Sequence, residues 1–154
     1  MVGVENKVAS DKWRVTSNEQ PGECPDMDTS ATSSKVASYR DLRVWQKGME
    51  LVKAVYVITR PLPPEEKFGL VAQMRRAAVS VPSNIAEGHA RKSTAEFVHF
   101  ISVAEGSVAE LDTQLTLCVD LGFCAPTNAE AAFGMITELK KMLNALRRSL
   151  SKVA

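Results

Sequence analysis

Histidine is nearly missing from this chain: its 154 residues carry two, His89 and His99. Glu96-Phe-Val-His99 is one Glu-x-x-His pair, but a di-iron bundle needs two such pairs and two further inward carboxylates. At about 100° per residue His99 also points away from the apolar seam of its own helix. Ser80, Ser83 and Ser107 have no claim on a histidine base, so serine nucleophile chemistry has no footing. Glycine occurs eight times, without a phosphate-cradling Gly-x-x-x-x-Gly-Lys or a Gly-x-Gly-x-x-Gly. Aromatic residues are 6% of the chain, too few for base-stacking platforms on single-stranded nucleic acid. Neither a catalytic constellation nor a metal or cofactor site is expected, and the chain reads as a non-enzyme.

Cysteine is scarce and odd in number: Cys24, Cys118 and Cys124. A structural zinc site needs four ligands, so Cys118 and Cys124 read as buried free thiols of a reducing compartment. No apolar run approaches the roughly 20 residues of a membrane span, and the N-terminus shows no secretory core. The cytoplasm is the expected location, with no membrane partner.

Charge of one sign is also lacking: the formal net charge is +1. The distribution is uneven. Residues 1–38 hold Lys7, Lys12, Arg14 and Lys35 against Glu5, Asp11, Glu19, Glu23, Asp26 and Asp28, whereas residues 39–154 hold 15 basic and 12 acidic residues. Pro21-Gly-Glu-Cys-Pro and Ser30-Ala-Thr-Ser-Ser break the first segment, which shows no apolar period. Residues 1–38 therefore read as a disordered tail, with Trp13 alone able to dock and Met27 an alternative start, and residues 39–154 as one helical domain.

What is present is helix. From about Arg40 to Thr59, Leu42, Trp45, Met49, Val52 and Tyr56 form one stripe, and Val44, Leu51, Val55 and Ile58 form another. Arg60-Pro-Leu-Pro-Pro ends that helix. A second begins near Pro64 and closes near Gly88, with Pro82 expected to kink or split it. Ser93-Thr-Ala-Glu96 reads as a capping box. It opens a heptad seam of Phe97, Ile101, Ala104, Val108, Leu111, Leu115 and Cys118, which stops at Gly122. Thr127-Asn-Ala-Glu130 reads as a second box, before a seam of Ala132, Ile136, Leu139, Leu143, Leu146 and Leu150. The expectation is an all-α, antiparallel up-down four-helix bundle.

Three sets of residues stand outside the seams. Gln73, Arg76, Ser80, Asn84, Glu87 and Arg91 follow each other at helical spacing along one side of the second helix. They read as a network fixing helix register: Arg76 could pair with Glu110 or Glu87, and Asn84 could satisfy backbone freed by Pro82. Ligand or nucleic-acid contact is the alternative. Phe100, Val103, Ser107, Gln114, Leu117 and Leu121 lie beside the third helix's seam as a strip that a lone bundle leaves partly wet, which predicts a homo-oligomer. Arg40, Arg43, Lys47, Lys140, Arg147 and Arg148 are candidates for nucleic-acid contact, since repetition around an oligomer concentrates their field.

The stretch Asp41-Leu-Arg-Val-Trp45, with Gln73-Met-Arg-Arg76, Ser83-Asn-Ile-Ala-Glu-Gly88, Arg91, Gly106-Ser107 and Glu110, resembles a known family. These are the small four-helix-bundle proteins encoded in intervening sequences of bacterial 23S ribosomal RNA genes, with the accessory variability proteins of diversity-generating retroelements as relatives. The likeness spans about Tyr39 to Leu150. It implies a barrel-like homopentamer without enzymatic activity, and RNA, DNA or a nucleic-acid-handling protein as partner. An assembly with no nucleic-acid affinity is the alternative. The tail before Tyr39 lies outside the family's pattern, and Glu105 stands where relatives often carry a basic residue.

Overall fold

The computed structural model describes residues 38–152, and the readings of the tail, Trp13, Cys24 and Met27 lie outside them. The described residues form four helices and no strands: α1 (Arg43–Ile58), α2 (Leu70–Ala90), α3 (Thr94–Asp120) and α4 (Pro126–Ser151). Short 3-10 turns, Tyr39–Asp41 and Pro64–Lys67, precede α1 and α2. Among the described residues no helix is long and apolar enough to cross a membrane.

Local chemistry sets the helix ends. Asp41 accepts from the Ser38 amide and Ser38 Oγ accepts from the Arg40 amide, closing a turn before Leu42, whose extended ψ of 117° separates it from α1. The first helix is thus shorter than its sequence pattern. α2 starts later than expected, because Pro64–Lys67 forms its own turn and the Glu66 carboxylate then receives the Leu70 amide at 2.9 Å. Ser93 caps α3 by accepting from the Glu96 amide at 3.2 Å, but the Glu96 carboxylate accepts from the Ser93 hydroxyl rather than from its amide, so the box is half formed. The Thr127 box does not form. Pro126, with φ already helical, occupies the first position of α4, and the helix begins before Thr127 can cap it. α3 ends on Gly122 at φ 74°, with Phe123 N–H bonded to Cys118 and Gly122 N–H to Val119, the paired bonds of a Schellman motif.

Pro82 does not split α2, which runs through it from Leu70 to Ala90. The proline is buried against Gly48 of α1, where a Cβ would sit 3.5 Å from the ring. Ser83 Oγ donates to the Val79 carbonyl and Asn84 Nδ2 to the Ser80 carbonyl, both at 2.8 Å. Asn84's bonds therefore run to Ser80, not to the Ala78 carbonyl that a proline four residues on leaves free.

Each helix packs on its sequence neighbours, and α1 closes the ring on α4. Rising numbers on one helix meet falling numbers on the next: Lys140 and Arg147 of α4 reach Asp112 and Glu105 of α3. Gly48 of α1 meets Pro82 of α2, while Thr59 meets Arg75. Leu51, Met74, Ile85, Ile101, Leu111, Leu115, Ile136, Leu139 and Leu143 fill the centre, fully buried. Of the two stripes on α1, the core takes Val44, Leu51, Val55 and Ile58. Leu42, Trp45, Met49 and Val52 stay half-buried, and Tyr56 is exposed.

Candidate assembly face and basic end

α2 and α3 approach closely because small residues line their contact. A Cβ on Gly88 would lie 2.7 Å from atoms of Phe97 and Phe100. About two turns away, the hydroxyls of Ser80 and Ser107 are 2.8 Å apart. Ser107 also donates to the Val103 carbonyl and Asn84 donates to Ser80 Oγ, so the proton order runs Asn84 to Ser80 to Ser107 to Val103. Both hydroxyls of this relay, Ser80 and Ser107, are satisfied, which is what keeps a polar contact tolerable inside a helix pair.

The two residue sets singled out on α2 and α3 therefore border one groove. They do not all do the same thing there. Ser80, Asn84 and Ser107 form one hydrogen-bonded network across the two helices. Ser107 and Gln114 are buried within the chain and so are not part of a wet strip. Gln73 and Arg76 are exposed, and Arg76 bonds neither Glu110 nor Glu87. Glu87 pairs instead with Arg91, whose guanidinium lies 4.9 Å from the centre of the Phe100 ring. Glu110 accepts from Gln114 Nε2 at 2.8 Å, while Gln114 Oε1 is buried with no hydrogen-bond partner.

Apolar side chains remain at the surface on both flanks of α2. Val103, Leu117 and Leu121 line the α3 side, Leu121 being 62% exposed. Tyr56, Val57 and Val79 line the α1 side, Val57 being 65% exposed, and Phe68 is 85% exposed at the turn before α2. A groove of about 510 Å³ opens here between Tyr56, Arg75, Arg76, Val79, Ser80 and Ser83. Arg75 is held in it: Nε donates to the buried Thr59 hydroxyl at 2.8 Å, and the guanidinium lies 4.6 Å from the Tyr56 ring centre. Arg75 belongs to none of the three residue sets singled out from the sequence, where it falls within Gln73-Met-Arg-Arg76. Its signal was there, since it lies between Val71 and Ala78 at helical spacing, a cation on the edge of a buried face.

The basic candidates divide. Lys47 bridges Glu50 at 2.9 Å and Glu138 at 3.1 Å, and those carboxylates raise its pKa above the ordinary lysine value. Lys140 meets Asp112 at 2.7 Å and Arg147 meets Glu105 at 3.1 Å, so Glu105 serves here as a tie between α3 and α4. Arg40, Arg43 and Arg148 are exposed, with no carboxylate in ion-pair range among the described residues. Chain direction gathers them: α1 and α3 start, and α2 and α4 finish, at one end of the bundle. The Tyr39 ring, 6.4 Å from that of His89, ties the start of α1 to the finish of α2. Lys92 and Lys152 fall at the same end, both exposed.

The remaining reactive side chains have plain surroundings. His99 is exposed, edge-on to Phe100. Among the described residues no group of three or more His, Cys, Asp or Glu could hold a metal ion. Cys118 and Cys124 are buried free thiols, and burial first, then the neighbouring Cys124, pushes Cys118 up to about 11.

These features define an all-helical bundle with a polar-registered α2–α3 pair, apolar flanks and a basic end. The chain belongs to the family of 23S rRNA-intervening sequence proteins, whose pattern matches residues 40–145. Its fold is similar to that of a protein of unknown function from the S23 ribosomal protein family of Bacteroides thetaiotaomicron. The two are 24% identical over 68% of this chain and 97% of that one, with a TM-score of 0.63. No curated protein matches the chain.

Proposed function

We propose that the protein is a non-enzymatic helical scaffold that works in the cytoplasm as a homo-oligomer and offers its basic end to RNA or DNA. The observation carrying this reading is the surplus of apolar surface on both flanks of α2, with Tyr56, Val57, Val79, Val103, Leu117 and Leu121 exposed. Contiguous apolar patches of this sort mark interfaces in water-soluble chains. A homopentamer, as the family resemblance implies, would repeat Arg40, Arg43 and Arg148 five times on one rim and concentrate their field. Phosphate contact through such a rim carries little sequence preference and weakens steeply with salt.

A second reading has its own support. Lys47, Lys140 and Arg147 are matched to carboxylates, which removes half of the candidate cations from phosphate contact. On this reading the assembly handles proteins alone, including nucleic-acid-handling ones. A gel shift with structured RNA and duplex DNA, titrated with salt, separates the two. Retardation at low salt that fades as salt rises, and that weakens in the Arg40→Ala, Arg43→Ala, Arg148→Ala variant, supports the nucleic-acid scaffold. No retardation at the lowest salt leaves the protein-only assembly.

A further inference from the structure

The apolar flanks of α2 carry charges of opposite sign: Arg75, with Arg76 beside it, lines the groove on the α1 flank, and Glu110 stands in the strip on the α3 flank. On the α1 flank, Arg75 spends its Nε on Thr59 and rests its guanidinium plane on Tyr56. Its two terminal nitrogens have no acceptor among the described residues, and the side chain lines the groove beside Val79. A guanidinium so held has little freedom left to lose, and its fork suits a carboxylate.

On the α3 flank, Glu110 is exposed and receives one bond, from Gln114 Nε2. Gln114 is only 9% exposed, and its Oε1 has no donor. Turning the amide over does not help, because Oε1 would then face the Glu110 carboxylate. The strip around this acceptor pair is apolar: Val103, Leu117 and Leu121. An exposed carboxylate with a single donor, set in an apolar strip, has acceptor capacity left for a second donor.

We infer that these two flanks are halves of one interface: the Arg75 groove of one copy seats the Glu110–Gln114 strip of the next. The guanidinium reaches Glu110, whose carboxylate the Gln114 amide already holds in place at 2.8 Å. Val103, Leu117 and Leu121 cover Tyr56 and Val79. The inference rests on the homo-oligomer proposed above and supplies its contact. The occupant is a second copy because the complementary half is already present on this chain, and because α2 stands between Arg75 and Glu110, so one chain cannot close the pair on itself. Two different patches meeting head to tail make a heterologous contact, which propagates from copy to copy and closes into a ring where the rotation allows.

The test is charge exchange in the full chain, read by sedimentation velocity at micromolar concentration, with helical circular dichroism as the check on folding. Arg75→Glu alone and Glu110→Arg alone should each weaken association at least tenfold, and the two changes on one chain should restore most of it. An oligomeric wild type whose single variants associate normally would overturn this contact and leave the scaffold reading standing. Single variants that dissociate without rescue in the double would overturn the pairing in the same way. A wild type that stays monomeric would overturn the scaffold reading and the contact together. Should a reversal fail to fold, Arg75→Gln and Glu110→Gln take its place. Each should weaken association, and a normal oligomer from both would again overturn the contact.

Discussion

Ser80 on α2 and Ser107 on α3 face each other hydroxyl to hydroxyl at 2.8 Å, across the contact between the two helices. Their small size lets the backbones approach, and Asn84 and the Val103 carbonyl complete the proton order on either side. A larger side chain at Ser107 has nowhere to go. Ser107→Leu should lower unfolding free energy by about 1–3 kcal/mol through overpacking, measured by urea denaturation. A variant as stable as the parent would show that the two helices are not locked at this point.

Gly88 makes the same argument about two turns on. An added Cβ would come within 2.7 Å of Phe97 and Phe100 atoms. Alanine is worth roughly 1 kcal/mol over glycine inside a helix by propensity alone, so Gly88→Ala sets two effects against each other. The clash should win, with a net loss of about 1 kcal/mol or more in thermal or chemical unfolding. A net gain would mean that the aromatic pair gives way freely.

Cys118 gives the protein a pH signature. Its thiol is held protonated up to about 11, whereas an unfolded chain ionises it from its ordinary value near 9.0. Between those values the unfolded state binds fewer protons than the native one, so stability falls as pH rises through this window. Cys118→Ala should flatten that fall while lowering stability at neutral pH through the cavity it leaves. Unfolding free energies at pH 8, 9 and 10 for both chains measure the slope, and equal slopes would contradict the assignment.

Gly122 closes α3 in the left-handed region, at φ 74°. Gly122→Ala should cost about 1 kcal/mol, the usual charge for a Cβ in that conformation. A smaller change in calorimetric unfolding would indicate that the turn relaxes.

Much of the fold was legible before the structure, and the reason is period. The α3 seam from Ile101 to Cys118 and the α4 seam from Ala132 to Leu143 are buried where spacing put them. α1 was harder because both of its stripes are apolar, and period alone does not say which one turns inward. The core took Val44, Leu51, Val55 and Ile58, leaving Trp45 and Tyr56 toward the surface. Thr127 looked like a cap by pattern and lost to Pro126, whose ring presets the helix one residue sooner. The candidate site was legible only as lists along single helices. Ser80 and Ser107 stood in separate lists because nothing in spacing aligns one helix with another. The ties of Lys47 to Glu138, Arg147 to Glu105 and Arg75 to Thr59 likewise exist only once inter-helix register is set.

The central claim is that this chain exposes apolar flanks because copies of it cover them. Sedimentation velocity of the intact protein at micromolar concentration tests this most directly. The account predicts a stable species of several subunits with little free monomer; a single sharp monomer boundary, unchanged as concentration rises, would contradict it.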